Sequence, residues 1–275
     1  MDWNLDFISH EEFKEHVANT IEHYGNKLES YDVNKFNSNL IDPIKMIFDK
    51  AVYDEDWKTL ISNEIFRQRD KRNNNEIGYF HQRLFNYLKG CHVPPNGTEG
   101  GWDVIYEIPS GYEISNGDCV HKIYVEMKNK HNTMNSSAAG KTYIKMQNQL
   151  LRDDDCACFL VEAIAKRSQN IVWKTTVDKV KVSHRHIRRV SIDQFYGIVT
   201  GEPNAFYQLC MVLPEVVDEV LSSSKIMQKP QDTVYSELLN KAKRLNLSSL
   251  DRAMVLSMYM LGFGTYEGFN KHNEK

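Results

Sequence analysis

The sequence predicts an α/β fold in which a mixed central sheet is flanked by helices. Apolar residues recur every three or four positions in residues 1–90 and 201–275, which is typical of helices that pack on one face. Residues 91–200 instead carry apolar runs of strand length, separated by stretches rich in Gly and Pro. Helices before and after one group of strands indicate an α/β domain, with an α+β arrangement as the alternative.

The chain of 275 residues is long enough for one large domain or two small ones. We expect a single domain over 1–275, made of a helical N-terminal part (1–90), an α/β core (91–200) and a helical C-terminal part (201–275). The C-terminal part is either a lobe of the domain or a dimerisation surface, and the pattern does not separate these.

The N-terminal part is predicted to contain three helical segments. Ser9 and Glu12 form a capping box, which indicates that a helix begins there and continues over 10–24. Apolar periodicity then predicts helical segments at 42–70 and 76–89, and the polar stretch between these two reads as a turn.

The core and the C-terminal part are predicted from the same kinds of pattern. A buried strand is expected where the apolar run CACFLVEAIA is nearly continuous. The predicted elements in chain order are a loop (90–101), strands at 102–108 and 119–128 with a turn-rich stretch between them, a helix (142–151), a strand (156–165), one or two strands (171–182), and helices at 205–221, 232–245 and 249–261.

Composition excludes several classes of protein. A hydrophobic content of 41% and a charged content of 26% are those of a globular chain, not of a disordered or collagen-like one. No apolar run reaches the ~18–20 residues of a membrane span, and the acidic N-terminus is unlike a signal peptide. The five cysteines include no CxxC pair, which favours reduced thiols over a zinc site. We expect a cytoplasmic protein without membrane partners.

The net charge of −3 hides an uneven distribution. Residues 166–189 hold eight Lys and Arg against one acid, and residues 122–145 hold five Lys against one Glu, whereas acids concentrate in the first 60 residues and at 153–155. A basic face on a neutral protein fits a polyanionic ligand, and plain solvated surface is the alternative.

Asp103, Glu126 and Lys128 are the residues that point to chemistry. Glu126 and Lys128 are two apart in the strand pattern IYVEMK, so both side chains lie on one face. Antiparallel pairing with the preceding strand can bring Asp103 opposite them. Two carboxylates can hold Mg²⁺, with the backbone carbonyl of Met127 as a further ligand, and a nearby ammonium can orient a metal-activated water. The pattern predicts metal-assisted phosphodiester hydrolysis, although a solvated pair on a strand is the alternative.

This constellation resembles the PD-(D/E)xK nuclease signature, with Trp-Asp in place of Pro-Asp. Longer segments are similar to the type II restriction endonucleases that cut GG-N-CC or GG-(A/T)-CC, and these segments are NLIDPIKMIFD (39–49), IGYFHQRLFNYL (77–88), VEMKNKHNTMNSSAAGKTYIKMQNQLL (125–151) and IAKRSQNIVW (164–173). The resemblance implies a PD-(D/E)xK restriction-endonuclease-like core with N- and C-terminal helical additions. By its motif, Asp103, Glu126 and Lys128 are the catalytic residues of a bacterial or archaeal enzyme.

The resemblance also implies Mg²⁺ as cofactor, a homodimer acting on double-stranded DNA, and a cognate DNA methyltransferase for the same site. We expect a sequence-specific deoxyribonuclease that cuts a short palindrome, and the resemblance implies that this site is GGNCC-like. The alternatives are a structure-specific repair or recombination nuclease, and a DNA-binding regulator with an inactive nuclease core.

Further residues are candidates for supporting roles. Glu76 and Gln82 are candidate additional active-site residues, because related nucleases place an acid or amide on a preceding helix; a solvated helix face is the alternative. The polar loop after Lys128 and the run SHRHIRR are candidate DNA-contacting regions, because amides, hydroxyls and cations reach bases and phosphates. For the loop, the alternative is a plain polar loop with a helix cap at about Ser137. The candidate DNA-contacting residues are Lys130, Asn132, Asn135, Ser136, Ser137, Lys141, Lys145, Arg185, Arg188 and Arg189. Metal binding by His184 and His186 is the weaker interpretation of that run, since no third ligand is evident.

Overall fold

The computed structural model describes residues 4–26, 29–131, 133–223 and 230–266. The helices of these residues are α1 (His10–Asn26), α2 (Val33–Asn37), α3 (Pro43–Tyr53), α4 (Trp57–Leu84), α5 (Ser136–Leu150), α6 (Ile192–Thr200), α7 (Ala205–Ser223), α8 (Val234–Arg244) and α9 (Leu250–Phe263). The strands are β1 (Cys91–His92), β2 (Val104–Ser115), β3 (Asp118–Lys130), β4 (Cys156–Ile164), β5 (Asn170–Val177) and β6 (Val180–Ser191). None of the described helices is both long and apolar enough to cross a membrane.

The chain divides into two compact units, which we describe separately. The sheet unit consists of residues 1–22 and 75–225, and the helical unit consists of residues 23–74 and 226–275. The three parts predicted in chain order do not coincide with these units, because the helical unit combines segments from both ends of the sequence. The expectation of one nuclease domain over 1–275 stays a prediction.

The sheet unit is built on one mixed six-stranded sheet, which confirms the predicted α/β class. The strand order is β1-β2-β3-β4-β6-β5, with β3, β4 and β6 parallel and the other neighbours antiparallel. Helix α5 connects the parallel strands β3 and β4, as a parallel crossover requires.

Both faces of the sheet are covered by apolar side chains. On one face, Leu84 of α4 and Phe195 of α6 pack with Val125 of β3 and Phe159 of β4. On the other face, Tyr143 and Met146 of α5 pack with Leu160 of β4 and with Trp173 of β5. The same apolar cluster includes Trp102, Ile105, Cys158 and Ile187. Residues 156–161 of β4 are fully buried, as predicted for a strand covered on both faces.

The hairpin of β2 and β3 is longer than predicted. The turn-rich stretch at 109–118 was expected to be a loop, but β2 continues to Ser115 and the turn is Asn116–Gly117. The strand pairing shifts register between Glu107 and Tyr112, so Pro109 and Gly111 lie in a bulge of β2. Gly111 lies in this bulge with φ +74°, and a Cβ there would be 2.4 Å from the sulfur of Cys119.

Other element boundaries also differ from the predictions. The segment 42–70 is two helices, because the chain turns at Asp54, which has φ +53°. The predicted turn at 71–75 is wrong, because α4 continues through it; the segment holds no Gly or Pro, and Asn74 hydrogen-bonds Asp70 one turn earlier. The segment 171–182 contains parts of two strands, and β6 continues through the whole SHRHIRR run. Helices α2 and α6 were not predicted.

The helical unit has its own apolar core. Tyr31, Phe36, Ile61, Leu238 and Met258 are almost fully buried within it. The Asp32 and Asp42 side chains each accept a backbone hydrogen bond from the third following residue, which fixes the starts of α2 and α3.

Candidate active site

Asp103 lies immediately before β2 and is fixed to β3 by two hydrogen bonds. Its N–H donates to the carbonyl of Val125 at 2.9 Å, and its carboxylate Oδ2 accepts the N–H of Met127 at 2.7 Å. Val104 pairs with Val125 in the antiparallel ladder. The structure therefore confirms the predicted pairing that places Asp103 beside Glu126 across the two strands.

Glu126 and Lys128 project from β3 toward the face of the sheet that α5 covers. The Lys128 Nζ donates to Glu126 Oε1 at 2.6 Å, as alternation along the strand allows. Val125, the residue before Glu126, points to the opposite face and is fully buried in the core there. The Lys145 Nζ of α5 donates to the other carboxylate oxygen, Oε2, at 2.8 Å. Each oxygen of Glu126 is thus held by one ammonium group.

The two carboxylates have different electrostatic surroundings. Burial raises the pKa of Asp103, and the neighbouring charge of Glu126 raises it further, against the opposing effects of the Met127 hydrogen bond and the two lysines. Burial also acts to raise the pKa of Glu126, but the charges and hydrogen bonds of Lys128 and Lys145 outweigh burial and lower it overall. Mutual repulsion between the two carboxylates is what a bound cation would relieve.

Helix α4 borders this cluster through residues near its C-terminal end. Gln82 is buried and donates from Nε2 to the backbone carbonyl of Asp103 at 3.1 Å. Glu76 is also buried, and its carboxylate lies 3.9 Å from Arg83. A Cβ on Gly78 would be 2.9 Å from Oδ1 of Asn129, so α4 approaches the end of β3 closely. Of the two candidate additional residues, Gln82 contacts the main chain at Asp103 directly.

The predicted loop after Lys128 is shorter than expected, because a helix begins within it. Helix α5 begins at Ser136 instead of Thr142, because the Asn135 side chain accepts the N–H of Ala138 at 2.9 Å and caps it. The candidate DNA-contacting residues that are exposed here are Lys130, Asn135, Ser136, Ser137 and Lys141. Asn132 lies outside the described residues. Lys145 is half-buried against Glu126 instead.

The three candidate arginines of β6 lie apart from one another. Arg185 is exposed and pairs with Asp118 at 2.7 Å. Arg188 donates to the side chain of Asn170 and, at 2.7 Å, to its backbone carbonyl. Arg189, the adjacent residue, points to the opposite face and pairs with the carboxylate of Glu162.

The alternative metal site at His184 and His186 gains no support from the described residues. The His186 ring lies 2.8 Å from Asp118 and 3.1 Å from the carbonyl of Cys156, so both of its nitrogens have protein partners. No group of three or more His, Cys, Asp and Glu side chains in the described part of the chain is arranged to hold a metal ion.

Two features of the site were not predicted from the sequence. The contact of Lys145 with Glu126 was missed, because a lysine on the following helix gives no local signal of a partner on the sheet. Glu162 was also missed; it is 1% exposed in β4, next to Lys128 in the parallel register, and it lies 3.0 Å from His131 as well as pairing with Arg189. A charged residue inside the apolar run of β4 was the available signal.

Comparison with known proteins identifies the family. The family model described as Eco47II restriction endonuclease matches residues 5–222 of the chain. The chain is 30% identical over 253 residues to the type II restriction enzyme Sau96I of Staphylococcus aureus, covering 88% of this chain and 90% of that enzyme. It is 25% identical over 230 residues to the type II restriction enzyme Eco47II of Escherichia coli, covering 79% of this chain and 88% of that enzyme. The match spans the whole strand-and-helix framework that carries Asp103, Glu126 and Lys128, and the chain belongs to the Eco47II restriction endonuclease family.

Proposed function

We propose that this chain is a type II restriction endonuclease that hydrolyses phosphodiester bonds in double-stranded DNA at a short palindromic, GGNCC-like site. Asp103, Glu126 and Lys128 are the proposed catalytic residues. The observation that carries the proposal is that these three side chains meet at the β2–β3 hairpin within the matched family region. The PD-(D/E)xK architecture of the core is part of the same proposal.

The donor set fits Mg²⁺. Asp103, just before β2, and Glu126, in β3, supply carboxylate oxygens, and the backbone carbonyl of Met127 is a further proposed ligand. The effect of the Glu126 charge on the pKa of Asp103 indicates that the carboxylates are close enough to repel each other. Mg²⁺ in proteins is often held by only one or two carboxylates, together with waters and substrate phosphates. When bound, it activates a water and neutralises charge at the phosphorus.

Lys128 has the position of the residue that supports the attacking water. Its ammonium lies 2.6 Å from Glu126, on the same strand face and two residues along. An ammonium there can hold the attacking water in line with the scissile phosphate and can stabilise the negative charge of the transition state. Two hydrogen bonds keep the hairpin in place during this step. The Asp103 carboxylate accepts one from the Met127 N–H, and the Asp103 carbonyl accepts the other from Gln82.

The segment after β3 is the proposed DNA-contacting surface. The exposed side chains of Lys130, Ser136, Ser137 and Lys141 lie at the end of β3 and on the first two turns of α5. Lysines can neutralise phosphates, and hydroxyl groups can bond phosphate oxygens or base edges. The N-terminal end of α5 adds a favourable dipole for an anion.

The palindromic site implies two further proposals. A homodimer would present one active site to each DNA strand, because the two-fold symmetry of a dimer matches that of a palindrome. A cognate methyltransferase acting on the same site would protect the host DNA.

Digestion of unmethylated phage DNA with Mg²⁺, followed by sequencing of the fragment ends, tests the proposed function. We expect discrete fragments whose ends all derive from one GGNCC-like sequence, and no cleavage when a methyltransferase for that sequence has modified the DNA. Ends distributed at flaps or junctions would identify a structure-specific nuclease instead. Intact DNA that is nevertheless retained in a gel shift would identify a DNA-binding regulator.

A further inference from the structure

Lys145 contacts Glu126 but lies outside the motif formed by Asp103, Glu126 and Lys128. Its Nζ lies 2.8 Å from Glu126 Oε2, 2.7 Å from the carbonyl of Gly101, and 4.1 Å from the centroid of the Trp102 ring. These three contacts join α5 to β3 and to the segment that leads into Asp103. A single ammonium therefore touches both chain segments that supply the carboxylates.

The fold holds Lys145 in this position from two sides. On α5, Tyr143 and Met146 are fully buried against the sheet, which fixes the helix face that carries Lys145. On the other side, Gly101 has φ +69°, a conformation that favours glycine, and its carbonyl accepts the Lys145 hydrogen bond. Packing thus fixes the position of Lys145 on α5 and backbone geometry fixes the Gly101 carbonyl, while the lysine side chain between them can rotate.

The charges at the site balance without any further group. Asp103 and Glu126 contribute two negative charges, and Lys128 and Lys145 contribute two positive charges. A divalent cation that approaches Glu126 must therefore compete with two ammonium groups for the same carboxylate. When DNA binds, one of these ammonium groups can leave Glu126 and pair with a phosphate instead, because the lysine side chain is long and flexible.

We propose that Lys145 makes divalent-cation binding at this site dependent on DNA. In the protein without DNA it holds Glu126 Oε2 and opposes the cation, and with DNA bound it turns its ammonium to the phosphate backbone. This inference rests on the proposed function, since it assumes that the site binds both a cation and DNA. Its consequence is an enzyme that assembles its metal site mainly on its substrate.

The test is the affinity for Mn²⁺ in the absence of DNA, measured from the free Mn²⁺ signal in electron paramagnetic resonance. The variant is Lys145→Gln, and Lys145→Met is the second variant, because it keeps the apolar stem against Trp102 while removing the charge. The matched control is Lys89→Gln, which removes the same charge from an exposed lysine of the sheet unit that lies outside both the site and the proposed DNA-contacting surface. Circular dichroism establishes that each variant is folded before titration.

We expect both Lys145 variants to bind Mn²⁺ at least about fivefold more tightly than the wild type. In water, the repulsion between a unit charge and a divalent cation about 4 Å apart corresponds to roughly thirtyfold in affinity, and dissolved salt reduces this value. The control variant should stay within about twofold of the wild type, since its exposed charge is well screened. With a duplex carrying the site present, the difference between Lys145 variants and wild type should shrink.

Unchanged or weaker Mn²⁺ binding in both Lys145 variants would overturn the inference. The proposed function is judged separately, by cleavage of DNA by the wild-type protein. A wild type that cleaves while the Lys145 variants bind Mn²⁺ unchanged refutes only the role of Lys145. A wild type that does not cleave any DNA refutes the proposed function, while tighter Mn²⁺ binding would still support competition by Lys145 for Glu126.

Discussion

Glu162→Ala removes a buried carboxylate that links β4 to β6 and to the end of β3. Glu162 is 1% exposed, and it pairs with Arg189 of β6 through one oxygen and lies 3.0 Å from the His131 ring through the other. The Arg189 guanidinium also donates to the backbone carbonyl of His131 at 3.1 Å. The variant would leave the guanidinium half-buried without its counter-ion.

The expected loss follows from the burial of the two partners. Breaking a buried ion pair by removing one partner costs about 3–5 kcal/mol. We expect the lower end, because the Arg189 side chain is 20% exposed and can gain some water. For a unit of this size, ~3 kcal/mol corresponds to a decrease in Tm of roughly 6–12 °C.

Differential scanning calorimetry measures this decrease, with Ile164→Ala as the control. Ile164 lies on the same strand and is 61% exposed, so its substitution should change stability by less than about 1 kcal/mol. We also expect the double variant Glu162→Ala, Arg189→Ala to lose less than the sum of the two single variants, because it removes both charges together. A Tm of Glu162→Ala within 2 °C of wild type, or strictly additive losses, would refute the reasoning.

Three further outcomes follow from the structure. Burial lowers the pKa of His16 and of His81 to about 4, so below about pH 6.5 the unfolded chain binds protons that the folded chain does not, and the free energy of unfolding should decrease by about 2 kcal/mol per histidine by pH 5. Urea unfolding at pH 7 and at pH 5 measures this decrease. The decrease should be smaller in His16→Gln, and an equal decrease in that variant would contradict the prediction. Asn135→Ala should lower the stability by about 1 kcal/mol in thermal unfolding, because it removes the cap of α5, and no change would mean that the cap is dispensable. Lys130→Gln should reduce the slope of log affinity against log salt by about 1 in DNA-binding titrations, and an unchanged slope would exclude a phosphate contact.

The geometry of the hairpin could be predicted because it depends on local alternation. Side chains of a strand alternate between faces, so Glu126 and Lys128 had to lie together and Val125 opposite them. The antiparallel partner strand carried Asp103 at the right separation. These relations need only the strand assignment, and the structure confirms them.

Contacts between distant segments could not be predicted in this way. The partners of Lys145 and of Glu162 lie on other elements, and which element packs where depends on the whole fold. The same limit explains the two units: the helical unit joins residues 23–74 with 226–275, a pairing that no local pattern in the chain indicates.

Turn-forming residues were also overinterpreted. Pro109 and Gly111 predicted a loop, but a β-bulge accommodates both within β2. The polar stretch at 71–75 predicted a turn, but polar residues without Gly or Pro are tolerated on the exposed side of a long helix. In both cases the local preference for a turn is weaker than the packing of the strand or helix that contains the segment.

Asp103, Glu126 and Lys128 are the proposed catalytic residues, and one measurement tests them together. Duplex DNA carrying the site is incubated under single-turnover conditions with wild type, Asp103→Asn, Glu126→Ala and Lys128→Ala, each with Mg²⁺ or with EDTA, and binding is followed separately in a gel shift with Ca²⁺. We predict efficient cleavage only by the wild type with Mg²⁺, rates at least about 10²-fold lower in every variant, and retained DNA binding. Cleavage by Glu126→Ala at the wild-type rate, or by wild type in EDTA, would contradict it.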